Sequence, residues 1–167
     1  RALDAFASRG SLLVERFVGI SPSHQQELLA AYRDPEPRLA AGSALAQREI
    51  ATAAIDVSDG LGIDAGRLAK ASGVRAVLEG ARLPVAPSLA ALAEISALDP
   101  RDWVLAGGDD YELLFSAPPD REAEVLALDV GVPIVRIGHL EEGAGAILRD
   151  RRGEQDVTAM GYDHGIR

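Results

Sequence analysis

The sequence predicts an α+β fold in α/β/α layers, a mixed β-sheet with helices packed on it. Three observations lead there. Short apolar runs of strand length alternate with longer segments whose apolar residues recur at helical spacing. Two-residue hairpin signals are scarce before Asp150-Arg151-Arg152-Gly153, so the earlier strands connect through helices. The 167 residues, 47% hydrophobic, suffice for one domain, whose core must be filled by Leu, Val, Ile and Ala because aromatics make up only 4%.

The elements follow in order. Ser23-His24-Gln25-Gln26 reads as a capping box and opens a helix over His24 to Arg33. Asp34-Pro35-Glu36-Pro37 breaks it, and Arg38 to Arg48 forms a second, Ala-rich helix. The apolar run Ala51 to Val57 suits a buried strand, and Ser58-Asp59-Gly60 a turn. Leu61 to Ser72 is helical, with Leu61, Ala65, Leu68 and Ala69 on one face and Gly73 as its stop. A strand over Val74 to Glu79, a loop at Leu83-Pro84-Val85 and helices over Ser88 to Ala97 and Asp102 to Ala106 come next. After the loop Gly107-Gly108-Asp109-Asp110, Tyr111 to Ala117 is a strand with Tyr111, Leu113 and Phe115 on one face and Glu112 and Leu114 on the other. Asp120 to Leu128 is a helix and Val132 to Leu140 a strand; Ala144 to Arg149 and Gln155 to Ala159 form a hairpin. Residues 1–50 thus read as a helical lead-in packing on a domain of residues 51–167.

Charge and composition narrow the function. A net charge of −9 releases no counterions from a nucleic-acid backbone, which argues against a nucleic-acid partner. Phosphorylated small molecules stay compatible where divalent cations bridge them to carboxylates. The absence of cysteine excludes disulfides and thiolate chemistry and is compatible with a cytoplasmic location. No apolar run reaches membrane-spanning length, and no basic-then-apolar signal opens the chain, whose first residue is Arg1.

Two segments carry candidate chemistry. Asp56-Val57-Ser58-Asp59-Gly60 joins a strand end to a helix start. Ligands of open α/β sheets bind at such ends, carboxylate and hydroxyl oxygens suit Mg²⁺, and the helix start offers N–H groups to phosphate. The same pattern arises where Ser58 or Asp59 merely caps the helix and Asp56 is solvated. Gly107-Gly108-Asp109-Asp110-Tyr111-Glu112 pairs glycines that permit close backbone approach with three acidic groups that repel one another unless a cation or a donor-rich ligand offsets them. A solvated Gly-Gly turn reads the same way. In the tail Gly161-Tyr162-Asp163-His164, Tyr162 offers a ring for stacking, though a frayed terminus fits as well. His24, His139 and His164 show no metal-ligand spacing, and neither phosphate-loop fingerprint is present.

In this order the segments Ala54 to Leu61, Ala71-Ser72-Gly73-Val74, Leu83-Pro84, Ala106 to Phe115 and Gly161 to His164 resemble the C-terminal half of the thiamine-monophosphate kinases, and Arg33 to Leu39 resembles the stretch before it. That family sits in a superfamily with aminoimidazole ribonucleotide synthetase and selenophosphate synthetase. The resemblance implies a C-terminal domain of mixed sheet and helices, distantly ferredoxin-like. It also implies an N-terminal domain, absent from this chain, that supplies further metal and ATP ligands and a homodimer interface. Carried over by position, it implies that Asp56 and Asp59 bind Mg²⁺, Ser58 contacts ATP phosphates, Asp109 meets the aminopyrimidine of thiamine monophosphate and Tyr162 packs on its ring. No covalent nucleophile is implied. The tail departs from the family at Gly165, where an aromatic residue usually follows the histidine. The implied reaction transfers the γ-phosphoryl of ATP to thiamine monophosphate, with the fragment inactive alone. Another enzyme of the superfamily and a stand-alone nucleotide- or thiamine-phosphate-binding domain are the alternatives.

Overall fold

The computed structural model describes residues 19–163. Residues 1–18 of the lead-in, and the tail positions His164 and Gly165, lie outside the described residues. Helix α1 (Pro22–Arg33) starts earlier than the capping box at Ser23 predicts. Its N-cap is Ser21, whose side chain accepts the His24 N–H at 3.2 Å. Pro22 takes the first helical position, where a missing N–H is no loss and φ is preset. After the proline break come α2 (Leu39–Gln47), β1 (Ala53–Val57), α3 (Leu61–Ser72) and β2 (Arg75–Glu79). Helices α4 (Pro87–Ser96) and α5 (Pro100–Ala106) lead to β3 (Glu112–Ser116). A 3₁₀ turn (Pro119–Arg121) runs into α6 (Glu122–Leu126), followed by β4 (Gly138–Glu141), β5 (Gly145–Asp150) and β6 (Gly153–Asp156).

Helices pack on mixed sheets, as the alternation of elements predicts, but the strands divide between two sheets rather than one. Strands β1 and β3 pair antiparallel, with Ile55 opposite Leu114 and Val57 opposite Glu112. The other sheet has the order β4-β2-β5-β6. Its β2 and β5 run parallel, and β4 and β6 flank them antiparallel.

Helix α3 joins the two sheets, packing on β1, β2, β5 and α5. Its predicted stripe is buried, and Leu61, Ala65 and Ala69 join Ala76, Leu78, Leu105, Leu148 and Val157 in the main core. Gly73 ends it in the left-handed region at φ 69° and donates its N–H to the last-turn carbonyls, the role expected of it. A second cluster gathers Leu45 and Ile50 from the lead-in with Val125 and Leu128. Strand β3 divides between the two: Leu114 packs on the main core, Leu113 and Phe115 on the second cluster, the alternation its sequence predicts. Fully burying a Leu, Ile or Val of these clusters contributes about 1.5–3 kcal/mol, and the partly buried residues of β3 contribute less.

Three expected strand bounds need correction. Tyr111 precedes β3 and holds φ 50°, which no strand residue adopts. The stretch Val132 to Leu140 is a strand only from Gly138. Pro133 brings no N–H to a ladder, and the stretch crosses between clusters, with Ile134 partly buried on the second and Ile137 on the main core, while Val135 is exposed. The hairpin's second strand ends at Asp156 because Val157 to Met160 turn onto α3: Ile63 donates its N–H to the Met160 carbonyl at 2.9 Å.

Candidate functional site

The turn between β1 and α3 is held from inside the helix. Gly60 is the N-cap, at φ 123°, and no side chain caps α3, so neither Ser58 nor Asp59 performs the ordinary capping role. Instead Asp64, 1% exposed, reaches back: its Oδ2 accepts the Ser58 N–H at 3.0 Å and the Asp59 N–H at 2.9 Å. Its Oδ1 accepts from Arg67 Nη1 at 2.7 Å. The same Nη1 donates to Asp59 Oδ2. Bonding to Asp59 foremost, and to Asp64, raises the Arg67 pKa against the opposing effect of desolvation. Sequence reasoning missed both residues. The available signal was that Asp64 falls within the stripe of Leu61, Ala65 and Leu68, where an acidic side chain must be buried and therefore bonded.

Two further segments close on this turn. Loop 107–111 runs beside it: Asp109 donates its N–H to the Ser58 carbonyl and Tyr111 its N–H to the Val57 carbonyl, both at 2.8 Å. Gly108 is needed for that approach, since a Cβ there would stand 2.8 Å from the Ser58 carbonyl oxygen. Asp109 at φ 66° and Tyr111 at φ 50° are both left-handed, a backbone cost of about 1–2 kcal/mol per non-glycine residue. From the tail, Tyr162 donates its N–H to the Asp59 carbonyl at 2.7 Å, and the residue is 59% exposed. A Cβ on Gly62 would lie 2.7 Å from the Val157 carbonyl oxygen and 2.8 Å from that of Met160, so only glycine lets the tail seat on the helix. The structure thus brings Ser58, Asp59, Asp109 and Tyr162 into one neighbourhood through backbone contacts. Asp56 stands apart from these bonds, exposed on β1 opposite Leu113.

Acidic crowding at loop 107–111 is real and partly relieved. Desolvation, then Glu112 and Asp109, push the Asp110 carboxyl up to about 6. Arg38 grips Glu112 with two parallel bonds of 2.9 and 2.7 Å, tying the lead-in to the start of β3. As a donor set, Asp56 and Asp59 offer hard carboxylate oxygens. Among the described residues no group of three or more His, Asp or Glu side chains could hold a metal ion. Mg²⁺ commonly uses one or two carboxylates and completes its octahedron with water and phosphate, so each of these side chains is chemically suited to such a site.

No family model matches the chain. Curated relatives do. It is 34% identical over 139 residues to thiamine-monophosphate kinase of Rhodopirellula baltica, covering 83% of this chain and 44% of the relative. The crystal structure of thiamine-monophosphate kinase from Stenotrophomonas maltophilia K279a superposes with a TM-score of 0.71 at 34% identity, over 83% of this chain and 45% of that one. The structure of AaThiL complexed with AMPPCP and TMP does so with a TM-score of 0.58 at 30% identity, over 87% and 48% of the two chains. The chain therefore spans less than half the length of the relatives it matches. Sequence and fold agree, and over that span the chain belongs to the thiamine-monophosphate kinase family.

Proposed function

We propose that this chain is the C-terminal half of an ATP-dependent phosphotransferase that moves the γ-phosphoryl of ATP onto the phosphate of thiamine monophosphate, giving thiamine diphosphate. The observation that carries this reading is the convergence of turn 58–60, loop 107–111 and the tail at Tyr162, three segments far apart in sequence. The relative complexed with AMPPCP, an ATP analogue, and TMP supports the choice of ligands. In this reading Asp56 and Asp59 would hold Mg²⁺, whose chemistry is charge neutralisation at the transferring group. Ser58 contacts the ATP phosphates, Asp109 receives the aminopyrimidine, and the exposed Tyr162 ring packs on the substrate ring. Both substrates are anions and the chain carries −9, which makes the cation indispensable.

The remaining ligands and a homodimer interface belong to an N-terminal half, so the isolated chain is inactive. A cytoplasmic location is part of the same proposal. Among the described residues no helix is long and apolar enough to cross a membrane. The test is thiamine diphosphate formation by the full-length polypeptide supplied with ATP, Mg²⁺ and thiamine monophosphate. The expected result is product that disappears with EDTA. Absence of product from a folded protein that still binds ATP refutes the acceptor assignment.

A further inference from the structure

The proposal concerns Arg67 and rests on the reading of Asp59 as a metal ligand. A single nitrogen, Arg67 Nη1, bonds both Asp59 and Asp64. The two carboxylates differ in kind. Asp64 is fully buried and bonded to two backbone N–H groups, so its place is fixed by the turn it holds. The Asp59 side chain retains 12% exposure. Arg67 itself is 41% exposed, so its guanidinium has a path to water. A dication bound to Asp59 would meet a guanidinium bonded to the same carboxylate, and two cations on one largely buried carboxylate repel strongly.

We propose that Arg67 is a resident counter-cation of the metal-free site: it neutralises Asp59 until the divalent ion arrives, and loading requires it to let go of that carboxylate while Asp64 stays in place. The carboxylate is thereby kept oriented, at the expense of affinity for the metal. Replacing Arg67 by a neutral residue removes the competitor and tightens metal binding by roughly tenfold, an effect of the size that loss of one nearby, partly screened charge produces.

The test uses the full-length polypeptide and Mn²⁺ alone, without nucleotide, and reads paramagnetic broadening of the Gly60 amide by NMR. Arg67→Gln is expected to reach half-broadening at about one-tenth of the wild-type Mn²⁺ concentration, and Asp59→Asn to need at least tenfold more than wild type. An equal or higher midpoint for Arg67→Gln, with Asp59→Asn still weakened, overturns the counter-cation role and leaves the metal reading standing. Absence of localised broadening in all of them overturns both. Should Arg67→Gln fail to fold, the wild type decides: Mg²⁺ is expected to speed solvent exchange of the Arg67 guanidinium protons, and unchanged exchange at saturation overturns the proposal.

Discussion

Asp64→Ala is the substitution that most directly tests how the turn is built. Asp64 accepts three bonds, at 3.0 and 2.9 Å from backbone N–H groups and 2.7 Å from Arg67, while 1% exposed. Truncation leaves the two backbone donors without this acceptor, at about 1–3 kcal/mol each, the Ser58 donor toward the lower end because it is only part-buried. Losing Arg67 as a partner adds less, because a side chain 41% exposed can turn to water. The sum is about 3–5 kcal/mol, a large share of the 5–15 kcal/mol typical of a domain. Asp64→Asn keeps one acceptor oxygen and sets its amide against Arg67, so about 1–2 kcal/mol is expected. The assay is urea unfolding followed by fluorescence of Trp103, the single tryptophan, in α5 beside the site. Both variants should lower the midpoint without changing the slope. A loss below about 1 kcal/mol for Asp64→Ala would mean that the turn is held by something other than this carboxylate.

Gly62→Ala should destabilise, against the gain of about 1 kcal/mol that alanine ordinarily brings to a helix, because its Cβ meets two carbonyl oxygens of the tail; a raised unfolding midpoint refutes the packing described. Asp99→Asn probes a second network. Arg101, bonded through side chain and backbone, holds the Asp99 carboxyl at about 2, below its usual 3.8. The folded state thus favours the ionised form, and the stabilisation is full above pH 4 and lost as pH falls through about 2. Discounted for 29% side-chain exposure it amounts to about 1–2 kcal/mol, and the gap between wild type and variant in denaturant titrations should vanish toward pH 2. Asp56→Asn in the full-length polypeptide should lower turnover at least tenfold, and near-normal turnover at saturating Mg²⁺ would remove Asp56 from the mechanism.

Local pattern made α3 legible from Leu61 to Gly73, since stripe and stop signal are both local properties. It also showed which segments carry unusual chemistry, because paired glycines beside acidic residues stand out along a chain. It did not reveal how the strands divide into two sheets, because pairing Ile55 with Leu114 or Val77 with Ile147 depends on contacts far apart in sequence. The apolar stretch around Ile134 and Ile137 misled for the same reason, being partly covered by two clusters and not paired in a ladder. Asp64, Arg67 and Arg38 escaped notice because charged residues on helices or near proline breaks ordinarily face water. The stripe places Asp64 on the inward face, but only the fold shows which groups it bonds and that Arg38 meets Glu112.

The seating of Tyr162 on Asp59 bears on how the protein is made. Synthesis runs from the N-terminus, and roughly a hundred residues separate the two partners, which at about 5–20 residues per second takes on the order of 5–20 s. For most of that interval α3 has already been made, yet the carbonyl of Asp59 and the groove above Gly62 wait for a segment not yet translated. The turn at Asp59 is therefore completed only by the last of its contacting segments to be made.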